Sequence, residues 1–289
     1  MYWPLERPAV ARADVPFGNR IFLESHKARV DASMTWGTDV DVSALEDYAR
    51  EATRQQAVLI SPLHIMLKAI GVSLDRHPNF NCRVVGRRIY RFRDINLLLA
   101  IQDLHRGEAD LMLLRELNAI SLRSLALAVW REVNKTARGN HRVSRDKRRL
   151  YRLGRFFGWV IRRFNWCCDH LPLPLFRSSL GPLGAAVVVS PLNFPGAPPL
   201  RSVEFVKWGN LYSTHIVIGP TEPRPVVENG RVVVRPVVPL FVRADHRLVD
   251  GVDLGRFVAT LREYLRDPQS IPELKNQSAE SESTSAFVR

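Results

Sequence analysis

Apolar residues in this chain recur with two different spacings, and the two spacings alternate along the sequence. Between residues 32 and 42 every second residue is apolar or β-branched, which predicts a half-buried strand. Short β-branched runs bounded by turn residues predict further strands. These runs are 82–92 as a hairpin, 95–102, 109–117, 185–190, 212–219, 226–234 as a hairpin around Asn229-Gly230, and 236–243.

Helical periodicity separates several of these strands. Ser43 and Glu46 have the spacing of a capping box, and Pro62 has the position of a proline at the first turn of a helix. The predicted helices are 43–56, 61–76, 121–137 and 254–265. Strands mixed with helices indicate one α/β (α+β) domain over 1–275, whereas the Ser- and Glu-rich residues 276–289 are expected to form a disordered tail.

One junction between a predicted strand and a predicted helix contains several chemically active side chains. The buried run 236–243 leads directly into Asp245, His246 and Arg247, and Asp250-Gly251 precede the last helix. A histidine at such a junction can point into a cleft and exchange a proton. It can equally be a structural histidine beside a helix-capping aspartate, and the motif alone leaves both interpretations open.

Composition and charge limit the alternatives. The hydrophobic content of 46% is typical of a globular chain, and three cysteines, of which Cys167 and Cys168 are adjacent, do not have the spacing of a zinc site. The net charge is +13, and ten lysine or arginine residues against two aspartates lie between His141 and Arg177. Such a surface attracts phosphate-rich ligands, but no base-reading motif accompanies it, so we expect no nucleic-acid partner.

Residues 223–268 resemble the C-terminal part of the catalytic domain of the dihydrolipoyl acyltransferases of 2-oxo acid dehydrogenase complexes. That family, to which the chloramphenicol acetyltransferases are distantly related, has an Asp-His-Arg-x-x-Asp-Gly signature, which stands here from Asp245 to Gly251. The resemblance implies the coenzyme-A-dependent acyltransferase fold (chloramphenicol acetyltransferase-like), in which helices flank a mixed sheet. It extends less strongly over residues 20–137, where His77 to Asn81 match a family phrase.

The same resemblance implies a chemistry and a set of site residues. An acyl group would pass between coenzyme A and a thiol of the dihydrolipoyl type, with His246 as the general base. Ser190, at the end of a strand, would donate a hydrogen bond to the oxyanion, and Asp250 would hold the loop beside it. Structural support of the site is expected from Arg247, Gly251 and Arg20, with Arg20 as the cationic partner of Asp250.

The resemblance also implies partners. The family's active site lies between the subunits of a trimer, so a homotrimer is expected, with coenzyme A as a substrate and no metal. The chain is expected to be free-standing, because no segment resembles a lipoyl domain, its modified lysine or a subunit-binding domain. Acyl groups would therefore come from a lipoyl domain on another chain or go to another small acceptor.

Two departures from the family leave alternatives open. Residues 138–177 form a basic, aromatic insertion, and a helix there would have an apolar stripe opposite its arginines. The stripe is expected to dock on the core or on a neighbouring subunit, with contact to an anionic membrane through 141–177 as the alternative. Pro191 and Asn193 replace family residues after Ser190, which favours the alternative of a catalytically degenerate scaffold or membrane-associated interaction protein, whereas the retained His246, Asp250 and Gly251 favour the enzyme.

Acetylation of an alcohol, as in the chloramphenicol acetyltransferases, fits less well because a single histidine stands before the motif instead of a histidine pair. No apolar run approaches the length of a membrane span, and residues 1–7 lack the basic and apolar regions of a signal peptide. The expected compartment is the cytoplasm.

Overall fold

A computed structural model describes residues 33–85, 88–103, 108–137, 159–160, 162–164, 166–167, 171, 184–194, 196–203 and 212–272. Its strands in these ranges are β1 Ser33–Asp41, β2 Cys82–Val85, β3 Arg88–Arg91, β4 Leu97–Asp103, β5 Glu108–Leu114, β6 Val187–Pro191, β7 Thr214–Ile218, β8 Glu222–Glu228 and β9 Arg231–Asp245. Its longer helices are α1 Ser43–Gln56, α2 Pro62–Arg76, α3 Leu122–Ala137 and α4 Gly251–Arg266, with short 3-10 helices at Pro78–Asn81 and Pro268–Ser270. These elements confirm the predicted α/β class.

The sheet is mixed, as predicted. Its strand order is β1-β9-β7-β6-β4-β5, with β8 paired to the first half of β9, while β2 and β3 form a separate hairpin. The β4–β6 and β6–β7 pairs are parallel, and the other pairs are antiparallel. Parallel neighbours place the ends of β6 and β7 at one edge of the sheet, whereas β9 runs in the opposite direction.

Strand β9 is longer than the sequence pattern suggested, because the second arm of the 226–234 hairpin and the run at 236–243 are one strand of 15 residues. Its first half pairs with β8 and its second half lies between β1 and β7. Pro236 and Pro239 lie inside it without ending it. Because β9 connects the hairpin to the centre of the sheet, it sets the position of His246 at its far end.

The two faces of the sheet differ in composition. Alternate residues such as Val189, Ile216 and Leu240 pack against the helices in the main hydrophobic core. On the other face, a small cluster around Leu98, Ala185 and Val188 is buried. By the alternation of a strand, Ser190 and His215 belong to this second face.

A buried lysine joins α2 to the loop that precedes α3. Lys68 has no exposed surface, and its Nζ donates to the carbonyl oxygens of Leu117, Asn118 and Ile120 at 3.1, 2.7 and 2.7 Å. Burial lowers the pKa of Lys68 to about 8, so the ammonium is still charged at neutral pH. Three carbonyl acceptors around one cation stabilise the loop conformation from which α3 starts.

Replacing Lys68 with methionine is expected to lower the free energy of unfolding by about 3 kcal/mol, because the three carbonyl oxygens around its ammonium lose a charged donor. The change is measured as a shift of the denaturant midpoint at constant slope. Lys135→Met is the matched control, since Lys135 is exposed and, among the described residues, pairs only with Glu132 on the surface of α3. Equal midpoints for the two variants would contradict the structural role of Lys68.

The inserted segment is described only in part. Residues 159–160, 162–164 and 166–167 are helical. Trp159, Val160, Phe164 and Trp166 are exposed. These residues therefore do not bury an apolar stripe against the core, and the expectation that the stripe docks on this chain's own core finds no support in them.

Candidate functional site

His246 stands in the turn that follows β9. Asp245 accepts hydrogen bonds from the backbone N–H of Arg247 at 3.0 Å and from its guanidinium Nε and Nη2 at 2.9 and 2.5 Å. The backbone N–H of Leu248 closes the turn on the Asp245 carbonyl at 3.0 Å. Asp245 and Arg247 thus lock the turn, and within the described part of the chain the exposed His246 side chain has no hydrogen-bond partner.

Asp250 caps the helix that follows the turn. Its backbone is extended, and its carboxylate accepts the N–H of Asp253 at 2.8 Å, the bond expected of an aspartate at an N-cap. Gly251 is the first residue of α4, and a Cβ on it would meet no atom within 4 Å. A larger side chain would therefore meet no steric clash with the described residues at this position. Arg20, the predicted partner of Asp250, lies outside the described residues.

Ser190 is the penultimate residue of β6 and lies beside a histidine of the neighbouring strand. Its Oγ is 2.9 Å from His215 Nε2. The strand continues through Pro191, and the N–H of Leu192 donates to the Ile218 carbonyl at 2.8 Å. The residues that depart from the family pattern after Ser190 are therefore accommodated without breaking the strand that positions it.

His215 is the polar neighbour of Ser190, and no sequence motif singled it out as part of the site. Burial, and secondarily the charge of Arg243, lower the pKa of His215 to about 4. In the sheet register His215 is paired with Val188 on β6 and with Arg243 on β9. The alternation of β7 could have shown only that His215 lies on the face opposite Ile216; its position beside Ser190 follows from the pairing of β6 with β7.

The depressed pKa of His215 predicts a pH dependence of stability. Between pH 6.5 and about 4 the unfolded chain binds a proton at this residue and the folded chain does not, so stability decreases as pH falls through this window. The full shift corresponds to about 3 kcal/mol. His215→Gln, which cannot titrate, is expected to lose less stability over the same interval in denaturant unfolding. An equal loss in both proteins would contradict this assignment.

The structure does not bring Ser190 and His246 together within one chain. Ser190 pairs with Val217 and Val217 with Phe241, so Ser190 is level with Phe241 on β9. Asp245, the last residue of β9, is four residues further, about 14 Å along the strand, and β6 and β9 are separated by two strand spacings of about 4.8 Å. A base and an oxyanion donor must lie about 3 Å from one reacting group, so this pair cannot serve one site in a single chain.

Two further properties concern the described residues. They contain no cluster of three or more His, Cys, Asp or Glu side chains placed to hold a metal ion. None of the described helices has both the length and the apolar content needed to cross a membrane.

Comparison with known proteins identifies the same motif region. Residues 214–272 match the family model described as 2-oxoacid dehydrogenases acyltransferase (catalytic domain). A succinyltransferase component of the 2-oxoglutarate dehydrogenase complex of Schizosaccharomyces pombe is 40% identical over 70 residues, which cover 21% of this chain and 16% of that protein. The match therefore spans a small part of the relative's length.

Solved structures show that the similarity in fold covers most of the chain. The cubic core of the pyruvate dehydrogenase multienzyme complex has a TM-score of 0.62 at 18% identity, covering 88% of this chain and 86% of that chain. Azotobacter vinelandii dihydrolipoamide acetyltransferase also has a TM-score of 0.62, at 17% identity and with the same coverages. In that enzyme a serine, a histidine and an asparagine four positions after the histidine have been investigated for their role in the catalytic mechanism.

These findings confirm the predicted fold and the predicted resemblance. The chain has the fold of the catalytic cores of 2-oxo acid dehydrogenase complexes, and over residues 214–272 it is related in sequence to the acyltransferase catalytic domain of that family.

Proposed function

We propose that this chain is an acyltransferase that moves an acyl group between coenzyme A and a thiol of the dihydrolipoyl type. The observation that carries the proposal is the exposed His246, held by the Asp245–Arg247 turn inside the segment that matches the acyltransferase family. The relatives named for this activity are succinyl- and acetyltransferases of lipoyl groups, which supports the reaction class.

The reaction requires a base because a free thiol, with a pKa of about 8.5, is only a few per cent thiolate at neutral pH. His246 takes the proton of the attacking thiol, and the resulting thiolate adds to the thioester carbonyl. The new carbon–sulfur bond gives a tetrahedral oxyanion, which collapses by breaking the bond to the original sulfur. The departing thiolate then recovers a proton from His246, so the enzyme is unchanged.

The other predicted site residues support these steps. Ser190 donates its O–H to the oxyanion, and the continuous strand through Pro191 keeps it at the sheet edge. Asp250 fixes the start of α4 behind His246 through its bond to the Asp253 N–H. Arg247 holds the turn, and Gly251 and Arg20 complete the support of the site.

The active site is formed between two copies of the chain, in a homotrimer. The separation of Ser190 and His246 along the sheet supports this arrangement, because a second copy must supply one of the two groups. The cubic core assembled by a protein of the same fold also supports association of copies. Coenzyme A is then a substrate, and a lipoyl domain on another chain is the partner that presents the thiol.

A panel assay tests the reaction class. Acetyl, succinyl and branched acyl-coenzyme A are incubated with dihydrolipoamide, and release of the coenzyme A thiol is measured. We expect turnover with at least one donor that depends on the acceptor. Absence of turnover with every thiol, alcohol and amine acceptor, together with absence of coenzyme A binding in a thermal-shift measurement, would favour the degenerate scaffold.

A further inference from the structure

Ser190 and His215 form a side-chain pair that lies outside the Asp-His-Arg-x-x-Asp-Gly motif. They stand on neighbouring parallel strands on the sheet face away from the helices, and Ser190 Oγ and His215 Nε2 are 2.9 Å apart. A hydrogen bond of this length has a direction, which depends on the nitrogen that carries the imidazole proton. The direction decides what the serine hydroxyl can do.

The surroundings of His215 keep its ring neutral. It is largely buried, and its neighbours across the sheet are Val188 on one side and the buried Arg243 on the other. Both the loss of water and the guanidinium disfavour a second positive charge. The pKa of about 4 is consistent with this geometry and leaves one proton on the ring at neutral pH.

Arg243 also favours one of the two neutral tautomers. A guanidinium has donors only, so an imidazole beside it is more stable with its lone pair towards the cation and its N–H directed away. Arg243 is on β9 and Ser190 on β6, on opposite sides of β7. The proton is therefore placed on the nitrogen that faces Ser190, which is Nε2.

We propose that His215 is a positioning residue for Ser190. The Oγ of Ser190 accepts the Nε2–H of the neutral His215 ring, and the O–H of Ser190 is thereby left to donate to the tetrahedral oxyanion. The inference rests on the proposed acyltransferase function. It excludes the other use of a Ser–His pair, in which the histidine removes the serine proton for nucleophilic attack, because that use needs an imidazole that accepts a proton readily. A hydroxyl that accepts a hydrogen bond is also a stronger donor.

Nitrogen NMR of the folded, full-length protein tests the tautomer without turnover. In protein with ¹⁵N-labelled histidine at neutral pH, the His215 signals, assigned by their loss in His215→Gln, are expected to show protonated Nε2 and unprotonated Nδ1. In Ser190→Ala the Nε2 signal should shift while the ring stays neutral. A ring protonated only on Nδ1, or an imidazolium at neutral pH, would overturn the proposal even if the enzyme proved active.

Kinetics test the consequence for catalysis. His215→Leu removes the N–H and is expected to lower kcat about ten- to hundredfold, with KM for both substrates changed less than about threefold. His215→Gln keeps an N–H donor at a similar reach and should recover most of kcat. In the Ser190→Ala background, His215→Leu should cause little further loss, because the two residues act through one hydroxyl.

The outcomes separate this inference from the proposed function. Wild-type protein that shows the expected tautomer but no turnover would contradict the acyltransferase function and leave the hydrogen-bond direction standing. Active protein in which His215→Leu and His215→Gln have equal kcat, or in which the losses from Ser190→Ala and His215→Leu add fully, would refute His215 as a positioning residue.

Discussion

Replacing His246 with alanine is expected to lower kcat for acyl transfer by about 10²–10⁴-fold, the usual contribution of a positioned general base. The loss follows because the attacking thiol must then give its proton to water, while the turn and the helix that surround the histidine stay in place. The measurement is coenzyme A thiol release at saturating concentrations of both substrates, for the wild type and the variant.

The same substitution should leave the fold almost unaffected, which provides the control. His246 is exposed and has no hydrogen-bond partner in the described part of the chain, so the unfolding free energy should change by less than about 0.5 kcal/mol. Asp245→Ala is the contrasting variant for the unfolding free energy, because it removes the ion pair and the turn hydrogen bonds to Arg247. A His246→Ala enzyme with wild-type kcat would refute the assignment of the base, whatever the stability of Asp245→Ala.

Much of the fold was predictable because local patterns and packing agree. The alternation in 32–42 and the β-branched runs at 185–190 and 212–219 became β1, β6 and β7. Ser61 and His64 show where local chemistry departs from expectation. In this capping box the residue at the third helical position is a histidine instead of a Glu or Gln, and the Nδ1 of His64 accepts the N–H of Ser61 at 2.9 Å.

Other features depend on contacts between residues that are distant in sequence, and no local pattern predicts them. Lys68 lies on an apolar helix and reads as a surface residue, yet its ammonium is buried against carbonyls about 50 residues away. The bond from His215 to Ser190 requires the parallel pairing of β6 with β7, which the sequence does not specify. His246 and Asp250 were recognisable because both stand in one short segment, Asp245 to Gly251, that resembles the family signature.

Mixed oligomers of two inactive variants are expected to recover activity. If each site takes His246 from one copy and Ser190 from another, His246→Ala and Ser190→Ala homo-oligomers each lack one group at every site. Random assembly of equal amounts of the two chains leaves about one site in four with both groups intact. We therefore expect about a quarter of wild-type kcat from the unfractionated mixture of co-expressed chains, purified through a tag that both chains carry, against losses of about 10²-fold or more for either variant alone.

A second mixture gives the prediction a quantitative contrast. When wild-type chain is co-expressed with the double variant Ser190→Ala/His246→Ala, a site shared between copies is again intact in about a quarter of cases, whereas a site contained in one chain would be intact in half. Mixing separately purified variants under conditions without subunit exchange should restore nothing. Failure of the first mixture together with half activity in the second would mean that one chain brings the two residues together, which the registers of β6, β7 and β9 argue against.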